Sequence, residues 1–343
     1  MLPTMLSDFI TYLQDNDLLR LSRDKILIGV SGGLDSMVLL HLCHRARINF
    51  AVAHCNYQLR GKASNDDAEF VEAAASSINV PFFSKTFDTP QLLQAPKTNL
   101  QALARKLRYD WFDTLCQTEQ FDAVAVAHHQ NDVVETILMN LTKGCGIRGL
   151  HGIWPKQKKR IRPMLFATKQ QIQEYAKLHQ IAYREDQSNS DIKYVRNAIR
   201  KQVIPSLQQI NPQLEKTFSQ NIDIFRQVEA LYSFAIQTLK EKIVQQKNGL
   251  MYIDIEALAQ SPAPSSLLFE ILRPYQFKIS KIEYIYANRA EESGRIYTGP
   301  NHLLLRDRKA WILMPKSAID QNQYELDLSA SSGQLQLQDH LSV

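Results

Sequence analysis

The sequence predicts an α/β protein: a doubly wound parallel sheet with helices on both faces, then a second, smaller and mostly helical domain. Two observations carry this reading. Over the first 130 residues, short continuous apolar runs alternate with longer amphipathic ones, as in buried parallel strands joined by crossover helices. Beyond the break at Asn211-Pro212, the spacing of Leu214, Phe218, Ile222, Phe225, Val228 and Leu231 is helical over 213–247. The expected division is 1–211 and 212–343, the latter a helical or mixed domain assisting the former.

In chain order, Lys25–Val30 is a buried strand by its unbroken apolar character, and Asn49–Cys55, Pro81–Phe87 and Phe121–Ala127 read the same way. Helices are expected at Asp35–Arg47, Asp66–Ile78 and Leu100–Cys116, with Ser64 and Asn99 as N-caps of the second and third. Residues 131–143 form another helix, followed by a turn rich in glycine (Gly144, Gly146, Gly149, Gly152). Thr168-Lys169-Gln170-Gln171 is a capping box that opens a helix to about His179. A strand-like stretch, His302–Pro315, precedes a polar end. Parallel sheets bind ligands at the carboxyl ends of their strands, so the loops after Val30, Cys55, Phe87 and Ala127 are where chemistry is expected.

Composition narrows the class. With 44% hydrophobic and 22% charged residues, the 343-residue chain has the balance of a soluble protein with a sizeable core. It has no apolar run long enough to span a membrane, and Asp8, Asp15 and Asp17 break up any leader-like start, so a cytoplasmic location is expected. Cys43, Cys55, Cys116 and Cys145 form no C-x-x-C pair and sit at no zinc-finger spacing, which predicts reduced thiols rather than a cluster or structural zinc. Net charge is +5, unevenly spread: residues 1–210 hold 26 basic and 20 acidic side chains, residues 211–343 hold 14 and 15. Within 151–201, 12 basic residues face 4 acidic ones. That concentration suits a polyanionic partner, and equally a solvated helix face.

Ser31-Gly32-Gly33-Leu34-Asp35-Ser36 follows the first strand and opens a helix. Glycines let backbone approach a phosphate, successive N–H groups form an anion-binding hollow, and the helix N-terminus adds its dipole. No Walker lysine is present. Asp35 beside a phosphate calls for an intervening cation, which points to a nucleotide with Mg²⁺ between Asp35 and the phosphates. The bland alternative is a capped glycine turn.

This hexapeptide resembles the PP-loop of N-type ATP pyrophosphatases, whose fold is that of the adenine nucleotide alpha hydrolases and whose members transfer AMP from ATP. Further motifs, in order, resemble one branch, the tRNA(Ile)-lysidine synthetases. His54-Cys55-Asn56-Tyr57-Gln58-Leu59-Arg60-Gly61 is similar to H-x-x-H-x-L-R-G, with Tyr57 in place of the second His. Ala104–Tyr109 is similar to A-R-x-x-R-Y, which implies Arg105 and Arg108 as ATP contacts. Ala127–Thr136 resembles A-H-H-x-D-D-x-x-E-T, with Asn131 replacing the first Asp. Asp132 and Glu135, three apart, share a helix face and could hold Mg²⁺ or accept a proton. Gly144–Leu150, carrying Arg148, resembles G-x-G-x-x-G-L, and Arg162-Pro163 the R-P-L-L element. Glu185–Asn189 and Tyr194–Arg200 resemble E-D-x-S-N and Y-x-R-N-x-I-R. Lys193, Arg196, Asn197 and Arg200 recur at helical spacing, a stripe that could grip RNA phosphates; Arg148 is expected to join them.

The resemblance implies an ATP-dependent carbon–nitrogen ligase. C2 of the wobble cytidine in a CAU-anticodon tRNA(Ile) is adenylated, with Ser31, Gly32, Gly33, Leu34, Asp35 and Ser36 around ATP and Mg²⁺ on Asp35 and Asp132. Free L-lysine then displaces AMP, with Asp35, Asp132 and Glu135 as catalytic candidates. A homodimer is one expected assembly. Many relatives continue into a third domain that helps hold the acceptor stem; the charge distribution here leads to the expectation that the anticodon loop dominates selection. Two alternatives stay open: another PP-loop tRNA-modifying enzyme such as a thiolase, and a non-catalytic nucleotide-dependent RNA-binding protein.

Overall fold

The computed structural model describes residues 4–59, 61–89, 100–184, 195–290, 292–318, 336–337 and 341–342. It divides into two compact units, Met1–Glu229 and Ala230–Val343, with the boundary inside the helix Leu214–Ile243.

The first unit is built on a six-stranded sheet. Strands β1 (Lys25–Gly29), β2 (Asn49–Asn56), β3 (Phe82–Thr86), β4 (Ala123–Ala125), β5 (Lys156–Gln157) and β6 (Arg160–Ile161) lie in the order β3-β2-β1-β4-β6-β5. All pairings are parallel except β5 with β6. The helices are α1 (Met5–Asp15), α2 (Leu34–Arg45), α3 (Lys62–Ser77), α4 (Leu100–Thr118), α5 (Gln130–Lys143) and α6 (Lys169–Leu178). A near-continuous helical run then comprises α7 (Val195–Ala198), a π-helical turn (Ile199–Val203) and α8 (Ile204–Ile210), before the long α9 (Leu214–Ile243).

Strand alternation divides the core. Ile26, Ile28, Phe50, Val52, Ala123 and Ala125 face a layer with buried side chains of α1, α2, α3 and α6. Leu27, Ala51, Ala53 and Val124 face the other layer, where Tyr109, Trp111, Phe112 and Leu115 of α4 pack. Period-two exchange of faces is what a strand buried on both sides requires. Gly29 admits α4: a Cβ there would stand 2.9 Å from the Phe112 ring. The expected strands and helices of this unit are present. One cap differs: α3 starts a turn earlier than expected, at Lys62 after Gly61, so Ser64 lies inside its first turn. Asn99 lies outside the described residues.

The second unit carries a five-stranded antiparallel sheet, β7 (Val244–Lys247), β8 (Leu250–Asp254), β9 (Ile296–Thr298), β10 (His302–Arg306) and β11 (Ala310–Pro315), in the order β7-β8-β11-β10-β9. Three helices accompany it, α10 (Ile255–Ala259), α11 (Pro264–Leu272) and α12 (Ile279–Ala287). Ile253, Leu268, Ile271, Ile285, Leu304 and Trp311 close its core at 0% exposure. The helix expected to reach 247 stops at Ile243, where the chain turns into β7. Among the described residues no helix is long and apolar enough to cross a membrane.

Candidate active site

The loop after β1 is held in shape by its own hydroxyls. Ser31 N–H donates to Ser36 Oγ at 3.2 Å, Ser36 Oγ donates to Gly33 O at 2.9 Å, and the two hydroxyls stand 3.2 Å apart. Gly32 adopts φ +88°, a left-handed conformation that favours glycine, and leaves 3.3 Å between a hypothetical Cβ and Val71. Arg184 N–H donates to Gly32 O at 2.9 Å, while its side chain pairs with Asp67 at 2.5 Å. His54, 3% exposed, bonds Val30 O through Nδ1 at 2.9 Å and so ties the end of β2 to this loop. Tyr57, in the place of the second motif histidine, stacks on Phe87 and donates its hydroxyl to Ala104 O at 3.0 Å. It braces α4 against the sheet.

This loop borders an open cleft of about 580 Å³ at the strand ends. Ser31, Gly33, Leu34, Asp35 and Ser36 line it, together with Arg108, His128, Lys169 and Arg184. Arg108 Nε is buried without a hydrogen-bond partner. Arg105 is not among the lining residues; it is exposed, 5.0 Å over the Tyr109 ring. His128 Nδ1 is also buried and unpartnered. Burial, and then nearby arginines against the opposing pull of Asp132, push the His128 imidazole down to about 3, so it is neutral near pH 7.

The turn after β4 brings two carboxylates to one imidazole. His129 Nε2 stands 3.8 Å from Asp35 Oδ2 and 3.6 Å from Asp132 Oδ2. Asp132 Oδ2 accepts from His129 N–H at 3.0 Å. Burial raises the Asp132 carboxyl, but His129, Arg196 and the backbone bond outweigh it and bring it down to about 2.

Behind them lies a closed cluster of ion pairs. Arg196 Nε donates to Glu135 Oε2 at 2.6 Å and Arg196 Nη2 to Asp132 Oδ1 at 2.9 Å. Arg200 Nε donates to Glu135 Oε1 at 2.5 Å and its Nη2 to Glu135 Oε2 at 3.1 Å. Glu135 is 1% exposed, whereas the side chains of Arg196 and Arg200 are 31% and 41% exposed. Spacing explains the match: three residues apart on α5 and four apart on the helical run, each pair shares a face. Burial disfavours the Arg200 charge, but bonding to Glu135 and the surrounding carboxylates hold its pKa above the ordinary value.

The expected basic stripe is therefore seated on the acid pair rather than presented bare. Asn197 is buried, Arg148 lies in the short 3₁₀ turn Ile147–Gly149, and Lys193 lies outside the described residues, as does the Glu185–Asn189 motif. Sequence reasoning overlooked Lys169. Its Nζ donates to Asp35 Oδ1 at 2.5 Å. A signal was available: a lysine in the first turn of a helix opposes the dipole. All four cysteines are free. Among the described residues no group of three or more His, Cys, Asp or Glu side chains is placed to hold a metal ion.

Residues 5–207 match the PP-loop domain, and residues 246–316 match the TilS substrate binding domain. The chain is 36% identical to the tRNA(Ile)-lysidine synthase of Parabacteroides distasonis, over 85% of this chain and 66% of that protein. It is 34% identical to that of Bacteroides thetaiotaomicron, over 89% and 70%, and 33% identical to that of Porphyromonas gingivalis, over 90% and 67%. The matched part spans about two thirds of the length of these relatives. Among solved structures, the U34-tRNA thiolase NcsA of Methanococcus maripaludis aligns with a TM-score of 0.54 at 17% identity, covering 64% of this chain and 80% of that one, a likeness of fold. By its PP-loop domain, its second matched domain and these relatives, the chain belongs to the tRNA(Ile)-lysidine synthase family.

Proposed function

We propose that this chain is an ATP-dependent carbon–nitrogen ligase that adenylates the wobble cytidine of a CAU-anticodon tRNA(Ile) and joins it to L-lysine. The observation that carries the reading is one strand-end site in which a preformed anion loop, Ser31–Ser36, meets the Asp132–Glu135 cluster across His129. The first half suits a triphosphate, and the second holds two part-exposed guanidiniums where a further anion can reach them.

The cytidine C2 oxygen attacks the α-phosphorus of ATP and pyrophosphate leaves. Amides of Gly32, Gly33 and Leu34, with the Ser31 and Ser36 hydroxyls, hold the leaving phosphates. Arg108 supplies a guanidinium to them, and Arg105 acts from the rim. Mg²⁺, when bound, offsets the charge of the phosphates. Of the two expected ligands, Asp35 is the better fitted: it lies on the cleft and is 32% exposed, and a magnesium site needs only one or two carboxylates beside phosphate oxygens. Asp132 fits less well, because it is buried and its oxygens already accept from His129 and Arg196.

The lysine ε-ammonium first gives a proton to solvent; the free amine then attacks C2, and AMP leaves with the C2 oxygen. Asp132, held near 2, is a weak proton acceptor, and Glu135 has both oxygens engaged by guanidiniums. These carboxylates therefore serve by aiming Arg196 and Arg200 rather than as free bases. The phosphates that Arg196 and Arg200 meet are those that enter the site with the anticodon loop, where unstacked bases can be read. Lys193 and Arg148, with the +8 stretch at 151–201, supply the remaining attraction for tRNA.

The test is the fate of radiolabelled ATP. Release of AMP and pyrophosphate only with tRNA(Ile) present supports the reading; ADP and phosphate, or turnover indifferent to tRNA, overturns it.

A further inference from the structure

A triphosphate bound without a Walker lysine needs cationic charge brought from elsewhere, and the geometry points to Lys169 as the residue that binds the β- and γ-phosphates of ATP, with Asn131 as the residue that positions it. This inference rests on the nucleotide reading of the cleft. Lys169 opens α6 directly after its N-cap, Thr168, and lines the cleft beside the Ser31–Ser36 loop. Its ammonium is 134 residues from Asp35 in sequence yet 2.5 Å from Asp35 Oδ1 in space. At the first helical position a lysine is opposed by the dipole, and no benefit within α6 offsets this. The benefit lies across the cleft. In the ligand-free state Lys169 and Asp35 neutralise each other at partial exposure, 37% and 32%, where a polyphosphate can reach them. An entering triphosphate replaces the Asp35 carboxylate as the partner of the ammonium. Asp35 is then released to the cation that accompanies ATP.

Asn131 fixes where Lys169 starts. Lys169 N–H donates to Asn131 Oδ1 at 2.8 Å, and Asn131 Nδ2 donates to Glu215 Oε1 at 2.8 Å. Gln208 Nε2 donates to the same carboxylate oxygen at 2.7 Å. Gln130 N–H donates to Ala167 O at 2.9 Å, and His129 pairs with Met164 in a parallel bridge, so the start of α5 and the approach to α6 are laced together. The amide accepts on one side and donates on the other, whereas an ionised carboxylate only accepts. An aspartate, as in the motif this segment resembles, would set its charge against Glu215. The departure at Asn131 is thus matched to Glu215 in this chain.

Calorimetric titration of the full chain with AMP, inorganic pyrophosphate and ATP tests both assignments. Lys169→Ala should weaken ATP and pyrophosphate about 10- to 100-fold, the effect of losing a charged hydrogen-bond donor, and leave AMP affinity unchanged. Lys169→Arg should retain most of the affinity, and Lys169→Gln should behave as the alanine variant while preserving bulk. Asn131→Asp should weaken ATP in the same direction, and adding Glu215→Gln should restore it. Equal weakening of AMP and ATP, or ATP affinity indifferent to Lys169→Ala and Lys169→Gln, overturns the role of Lys169. An Asn131→Asp defect that Glu215→Gln leaves unrepaired overturns the positioning role. Wild-type chain that binds neither ATP nor pyrophosphate overturns the nucleotide reading itself, and the inference with it.

Discussion

Glu135→Gln keeps the outline of the side chain and removes its charge from the centre of the ion-pair cluster. Asp132, Glu135, Arg196 and Arg200 sum to zero formal charge; the variant leaves one positive charge in excess around a site that is 1% exposed. Breaking a fully buried pair costs about 3–5 kcal/mol, an exposed one about 0–1. Here the carboxylate is buried while its arginines are 31% and 41% exposed, so solvent screens part of the loss and about 2–3 kcal/mol is expected. For a unit of this size that lowers the melting temperature by about 5–10 °C. Urea and thermal unfolding followed by circular dichroism measure it, with Arg200→Gln alone and the double variant completing a cycle. The double variant should lose less than the sum of the two by about 1–3 kcal/mol. A loss under about 0.5 kcal/mol, the range of an ordinary surface substitution, would refute the reasoning, as would strict additivity.

Gly32→Ala places an L-residue at φ +88°, which costs about 1–2 kcal/mol and should weaken ATP binding; unchanged affinity would show that the loop's left-handed turn is dispensable. His128 and His41 are held down to about 3 and about 4, each mainly by burial. The unfolded chain therefore takes up these protons first, and stability should fall as pH drops from about 6.5 toward 4, by about 1.4 kcal/mol per pH unit for the buried His128 and by less for the part-exposed, solvent-screened His41. A flat denaturation midpoint between pH 7 and pH 5 would contradict this. Arg196→Ala should reduce turnover and make the log–log salt dependence of tRNA binding shallower by about 0.7–0.9, the loss of one phosphate contact; an unchanged slope would show that Arg196 serves Glu135 and Asp132 alone.

Much of the fold was legible because each signal was local. The unbroken apolar run at Lys25–Val30 and the capping box at Thr168–Gln171 gave β1 and α6 within a residue or so. The PP-loop was legible for the same reason: a strand, two glycines and a helix start are contiguous. What escaped depends on pairs distant in sequence. Nothing near Arg196 or Arg200 announces Glu135, 61 and 65 residues earlier, so a paired cluster read as a bare basic stripe. Lys169 and Asp35 are 134 residues apart, and Asn131 reads as a mere departure from a motif until Glu215 is seen beside it. In the second unit, β7 follows the long helix without a break signal, because Val244–Lys247 continues a polar, helix-compatible composition and becomes a strand only by pairing with β8.

The central claim is tested most directly by incubating the chain with ATP, Mg²⁺, L-lysine and a CAU-anticodon tRNA(Ile), digesting the tRNA and weighing its nucleosides. The account predicts a wobble cytidine heavier by one lysine less one water, formed only when ATP and lysine are both present and lost in Asp35→Ala. An unmodified cytidine despite ATP turnover, or a mass gain showing sulfur in place of oxygen, would contradict it.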